Sequence, residues 1–262
     1  MTGFGYTVLG FGGTLGNTEF YEVTISSNTD IFNLETHLSN NTSYNGSAVA
    51  DFFVTIDSGV VVGGSVDGGS YSANPTGIAF ETGSLGTGSR LFITNNGTII
   101  GFGGRGGTLD GNGRDAHADG RLNRQGGHGG TAFKTTIETL FTNNGKLQGG
   151  GGGGGGSAII DTQGGSGGGG GAGAAPGLGG SLVGVAGVNG NAGSLTGGGT
   201  GGSNGGRAGG TGGGPGEDGN NGTASGSLTF PIGTGGDQGD YIIGDNLTTF
   251  LVEGTRAGGV TS

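Results

Sequence analysis

Residues 91–104 read LFITNNGTIIGFGG, and residues 140–152 repeat the phrase as LFTNNGKLQGGGG. Two looser copies flank them: FFVTIDSGVVVGG over 52–64 and TFLVEGTRAGG over 249–259. Each unit sets a short apolar, β-prone run before one or two polar residues and a glycine. A second glycine follows soon after. Alternating β-branched and aromatic residues read as a strand, and Asn-Gly is the strongest short turn signal between two strands. The turn glycines stand at 59, 97, 145 and 254, so the spacings are 38, 48 and 109 residues. No fixed period accommodates them. The pattern is one supersecondary unit reused with inserts of variable length, whose stacked copies bury a core that no single unit could build. On this reading residues 50–148 stack as irregular rungs, with Phe53, Ile56, Leu91, Ile93, Leu140 and Leu147 turned inward.

The inserts are glycine. The chain has 262 residues, 77 of them Gly, with no Cys, no Trp, one Met and four Pro. Residues 149–156 are an unbroken run of eight glycines. Glycine costs roughly 0.5–1 kcal/mol per residue in backbone entropy relative to Ala, so this composition fits either a disordered linker or a packing that only glycine permits. A flexible linker is Ser-rich and lacks aliphatics. Here Ile159, Ile160, Leu178, Leu182, Val183, Val185, Val188 and Leu195 occur as islands. Gly184, Gly187, Gly190 and Gly193 recur every third residue before the frame slips. Collagen needs an unbroken triplet and Pro at ~15–20%, and is excluded. The expected fold is therefore all-β: irregular β-helix-like stacked strands plus a polyglycine-II (PPII) helix bundle. In such a bundle parallel rods with three residues per turn satisfy one another's N–H and C=O groups. Residues 28–38 (NTDIFNLETHL) are the one stretch suited to a short helix, with Asp30 near its start.

Several functions are excluded early. Without cysteine there is no disulfide scaffold, thiolate metal site or cysteine nucleophile. A formal charge of −10 argues against nucleic acid as a partner. GFGGRG at 101–106 matches a dinucleotide fingerprint, but no helix and no acidic ribose ligand follow at the required places. Asp110, Asn112, Asp115 and Asp119 lack the spacing and closing Glu of a calcium loop. His117 and His128 are too far apart in sequence to pair on one helix turn. No cofactor, metal or catalytic activity is expected.

Charge and polarity gather instead in the interruptions: 105–128, 157–163 (SAIIDTQ) and 216–221 (GEDGNN). Arg114, His117, Arg121 and Asn123 combine donor chemistry with the longest side-chain-rich stretch, and are the expected recognition residues.

Strand–Asn-Asn-Gly–strand units followed by polyglycine tracts with short polar interruptions resemble the glycine-rich receptor-binding proteins and fibre-tip adhesins of tailed bacteriophages. The resemblance spans residues ~50–260 and is strongest at 91–107 and 140–180. It implies a virion protein of the tail fibre or tail tip, with a rod bundle whose end turns fit the host receptor, a cell-surface glycan or an outer-membrane protein. The adhesins in question begin with a Trp-bearing attachment domain, and this chain has no Trp. The expected organisation is a virion-attachment segment at 1–48 contacting other phage tail proteins, a β-strand repeat domain at 49–148 with an inserted loop at 105–130, a polyglycine-II bundle at 149–226, and C-terminal strands at 227–262. A homotrimer is expected, because open rungs leave strand edges to cover. The alternative is a non-viral glycine-rich surface or ice-binding protein.

Overall fold

The computed structural model describes residues 18–65, 77–110, 124–157, 164–183, 187–223 and 232–262. Three five-stranded parallel sheets wrap one core, so that the chain winds through five three-sided coils. The first coil is β1 (Glu19–Ile25), β2 (Thr29–Asp30) and β3 (Phe32–Asn33). The second is β4 (Ala50–Ile56), β5 (Val61–Gly63) and β6 (Phe80–Glu81). The third runs from β7 (Arg90–Asn95) through β8 (Thr98–Ile100), detours past β9 (Leu109–Asp110), and closes with β10 (Phe133–Lys134). The fourth takes β11 (Glu138–Asn143) and β12 (Lys146–Gln148). It then makes a long excursion holding β13 (Gly165–Ser166), β14 (Leu182–Val183), β15 (Gly187–Val188), β16 (Ser203–Asn204) and β17 (Arg207–Ala208), and closes with β18 (Asp240–Ile243). The fifth is β19 (Thr248–Val252), β20 (Thr255–Ala257) and β21 (Gly259–Thr261).

The irregular spacing of the repeat now has a geometric cause. Every glycine-rich excursion leaves from the same corner, after the second face and before the third. In coils one and five that corner is a single residue in the left-handed region, Ile31 at φ 51 and Gly258 at φ 122. In coils two to four it opens into residues 64–79, 101–132 and 149–239. The coils are constant; the inserts are not.

Inside the coils, alternate residues of each strand point to the core. Val23, Val54, Ile93 and Phe141 form one inward column across four coils. Phe32, Phe80 and Phe133 form another, with ring centroids 5.1 and 5.4 Å apart. Ile56, Leu91, Ile93 and Leu147 are buried as expected. Phe53 and Leu140 are not inward. Phe52 and Phe141 take those places, both fully buried, and their neighbours in sequence must face out because the strand period is two. Phe53 stacks on Phe92 at 4.8 Å on the outer face, with Leu140 next in the same column.

The helix is also displaced from its expected place. Residues 29–33 pair as β2 and β3, and α1 spans Leu34–Asn41 with Asn33 as its N-cap, whose side chain accepts the Thr36 N–H at 2.8 Å. Leu34 and Leu38, four apart, are both buried in the core.

The excursions carry the glycine. Residues 149–157 run straight on from β12 as a rod whose successive residues donate to different neighbours. Gly150, Gly153 and Gly156 donate to the carbonyls of Gly130, Gly127 and Arg124. Gly151, Gly154 and Ser157 donate to Ala172, Gly169 and Ser166, and Gly152 and Gly155 to Glu217 and Asn220. Three more segments, 101–107, 210–216 and 233–239, donate to this rod's own carbonyls. This threefold hydrogen-bonding period is that of polyglycine II. Residues 164–174 form a second rod enclosed in the same way by 101–107, 175–183, 187–194, 198–203, 208–214 and 149–157. Among the described residues the bundle is thus two enclosed rods within a closed perimeter of eight.

Close approach is what demands glycine here. A Cβ on Gly153 would fall on the Arg105 carbonyl, and one on Gly171 on the Gly151 carbonyl. Larger side chains return mostly where a peripheral rod faces water, and the enclosed rods carry only small ones such as Ala172, Ser157 and Ser166. Every third residue of a peripheral rod faces water, as with Leu178, Thr200, Thr211 and Asn220, all exposed.

Candidate functional site

The rods have two ends. At the near end, against the coils, the turns at 174–176, 195–197 and 214–216 are short. Ala174 N donates to Gly101 O and Gly216 N to Gly149 O, where the rods leave the sheets. At the far end, outgoing rods finish at 110, 157, 183, 203 and 223, and returning rods begin at 124, 164, 187, 207 and 232. Strand pairs tie these termini together: β9 with β14, β13 with β15, and β16 with β17. Thr223 bridges to Ala208 and Ser157 to Ser166.

Arg114, His117, Arg121 and Asn123, with Asn112, Asp115 and Asp119, lie outside the described residues. The chain leaves for that stretch at Asp110 and re-enters at Arg124, whose carbonyl accepts the Gly156 N–H at 2.7 Å. Residues 158–163 likewise lie outside the description, between Ser157 and Gly164. Of the three expected recognition segments, 216–221 is described throughout. The 216–221 stretch begins at the near end, with Gly216 in the left-handed region at φ 69, and continues as a rod with Glu217 and Asn220 on its side. Arg105 and His128 belong to rods and not to a loop.

A polar base that the sequence reading overlooked holds the far end together. Ser157 and Ser166 are fully buried, and Arg207 nearly so. The Ser166 N–H donates to Ser157 Oγ at 2.9 Å, Ser166 Oγ donates to the Arg207 carbonyl at 3.1 Å, and Arg207 Nη1 donates to the Gly164 carbonyl at 3.3 Å. Rod ends leave carbonyls without a next rod to serve them, and a guanidinium supplies donors there. The available signal was Asn-Gly-Gly-Arg at 204–207, a two-glycine turn placing a long cation where the surrounding rods carry almost no side chains. Gly205 and Gly206 take φ 56 and 82, as a tight hairpin between right-handed strands requires.

Further along the bundle, the Asp237 N–H donates to His128 Nδ1 at 2.9 Å, with the Asp237 carboxylate 3.2 Å from the same nitrogen. Burial holds the Arg105 guanidinium below its usual pKa. Among the described residues no group of three or more His, Cys, Asp or Glu is gathered as a metal site. What the far end offers is shape and hydrogen bonding on a stiff support.

Comparison with known proteins fits this geometry. The family described as phage tail fibre adhesin Gp38 matches residues 20–261. No curated protein matches the chain. Among solved structures, the gp37–gp38 adhesin tip complex of the bacteriophage S16 long tail fiber contains a similar chain. The two share 24% identity at a TM-score of 0.59, over 92% of this chain and 81% of that one. At that identity the likeness is one of fold.

Proposed function

This chain belongs to the phage tail fibre adhesin Gp38 family, and from that premise we propose that the far end of its glycine bundle is the surface that grips the bacterium. It is a host-binding protein of the virion's tail fibre. The observation that supports a place for the grip is the convergence of the excursions. Rods built of glycine present almost no side chains, so specificity must come from the connections, and the longer ones share one end. Residues 111–123 are the longest of these. Arg114, His117, Arg121 and Asn123 are our candidates for contact with a surface glycan or an outer-membrane protein loop. Each hydrogen bond to such a receptor contributes about 1 kcal/mol net. Several copies on one particle multiply weak binding by roughly 10²–10⁴.

The similar solved chain is part of a complex of two tail fibre proteins. We read this chain as likewise carried by another tail protein, with residues 1–48 as the attachment segment. We read the assembly as a homotrimer, in which further copies cover the strand edges left free at β1, β2 and β3. Catalysis and cofactors have no part in this reading.

Replacing residues 111–123 by a short Gly/Ser turn tests it. Adsorption to host cells should be lost while hydrogen exchange at 149–156 stays slow. Normal adsorption with an intact bundle would move the grip elsewhere.

A further inference from the structure

Two turns of the coils share the local sequence Thr-Asn-Asn-Gly, at 94–97 and 142–145. Their flanking backbone is held alike. Asn96 N donates to Ile56 O and Asn144 N to Asn95 O, while Thr98 N donates to Val60 O and Lys146 N to Gly97 O. One donor separates them. The buried Gly97 N–H donates to Asn95 Oδ1 at 3.1 Å. At the equivalent place Asn143 Oδ1 accepts from Asn95 Nδ2, and among the described residues the Gly145 N–H donates to no acceptor. Asn144 is exposed, whereas Asn96 is half-buried.

That difference falls on a nucleophile. In an Asn-Gly pair the glycine nitrogen, once its proton passes to solvent base, attacks the Asn Cγ, and glycine has no Cβ to obstruct the five-membered ring. Nδ2 leaves as ammonia and a succinimide closes. Water then opens the ring at either carbonyl, giving aspartate or isoaspartate. The net change exchanges ammonia for water. A glycine N–H committed to an acceptor must first break that bond. Two other pairs are locked in this way: Gly190 N and Gly222 N donate to the Gly180 and Gly233 carbonyls, each at 3.0 Å. In Asn45-Gly46 it is the carboxamide that is fixed, because Asn45 Oδ1 accepts the Ser47 and Ala48 N–H groups at 3.0 Å.

We propose that Asn144 is a site of spontaneous deamidation in the folded chain, and that Asn95 guards Asn96 against the same reaction by holding the Gly97 N–H. Conversion replaces the hydrogen bond from Asn144 Nδ2 to Asn96 Oδ1 with a carboxylate against that carbonyl oxygen. The isoaspartate product also adds a backbone carbon to the turn. This goes beyond the receptor reading and does not depend on it.

Incubation of the purified full chain at mildly alkaline pH, followed by peptide mass spectrometry that localises the exchange of ammonia for water, tests the proposal. Slow hydrogen exchange at 149–156 confirms that the folded chain is what reacts. In that chain Asn144 should convert about fivefold or more faster than Asn96. In concentrated urea both sites reduce to the same Thr-Asn-Asn-Gly, and their rates should agree within about twofold. A folded chain in which Asn144 converts no faster than Asn96, or does not convert, overturns the proposal. So does a urea-unfolded chain that keeps the whole of the folded-state preference, since local sequence alone would then account for it.

Discussion

Asn95 Nδ2 donates to Asn143 Oδ1 at 2.9 Å, one coil above the other, with both side chains fully buried. The same amide group reaches the Lys146 carbonyl, Asn95 Oδ1 accepts the Gly97 N–H, and Asn143 Nδ2 donates to the Glu253 carbonyl at 2.8 Å. The first Asn of each Asn-Asn-Gly is thus a buried staple between turns. The second Asn of each pairs outside, with Asn144 Nδ2 donating to Asn96 Oδ1.

Asn143→Ala should therefore destabilise the coil by about 1–3 kcal/mol, because it removes one acceptor from the buried Asn95 amide and the donor from the Glu253 carbonyl. Asn144→Ala should stay within about 0.5 kcal/mol. Urea unfolding of the two variants separates the roles. Equal losses would contradict them.

The outward and inward aromatics of β4 should differ in the same manner. Phe52→Ala empties a fully buried site and should cost about 3–5 kcal/mol. Phe53→Ala removes a half-exposed ring stacked on Phe92 and should cost nearer 1 kcal/mol. Thermal midpoints would show the order, and a reversed order would place the wrong face in the core.

Gly153→Ala drives a methyl group into the Arg105 carbonyl from a rod enclosed on all sides. The rods must separate or the variant must not fold, so hydrogen exchange at 149–156 should rise by orders of magnitude. Gly197→Ala at a near-end turn meets nothing closer than Ser194 Oγ at 3.7 Å and should leave exchange unchanged.

Ile31 is a β-branched residue held at φ 51, a conformation that costs of order 1–3 kcal/mol. Ile31→Gly relieves that strain and adds backbone entropy to the unfolded chain of roughly 0.5–1 kcal/mol. The variant should be as stable as wild type or more so, by about 1 kcal/mol. A lower midpoint would show that the Ile31 side chain supports the first coil.

Much of this was legible because it is local. Asn-Gly between β-prone runs marks a turn, and the turns at 97 and 145 are where the chain bends from the first face to the second. Glycine at every third position marks a rod, and Gly187, Gly190 and Gly193 each abut the enclosed rod 164–174. The frame slips where rods reverse. What was missed depends on distance. That the glycine-rich excursions share one corner follows from pairing residues far apart in sequence, such as Asn95 with Asn143. Phe52 and Phe53 are equally apolar, and only the parity set by Ala50, Val54 and Ile56 chooses between them. Arg207 reads as one more cation until its hairpin is folded against Gly164.

The most direct test of the account is hydrogen-exchange footprinting of the intact chain with and without host envelope fragments. Binding at the far end predicts new protection in 108–125, 157–166, 203–208 and 223–233, with the coils over 18–65 and 240–262 unchanged. Protection confined to the outer faces of the coils, with none at the far end, would contradict it.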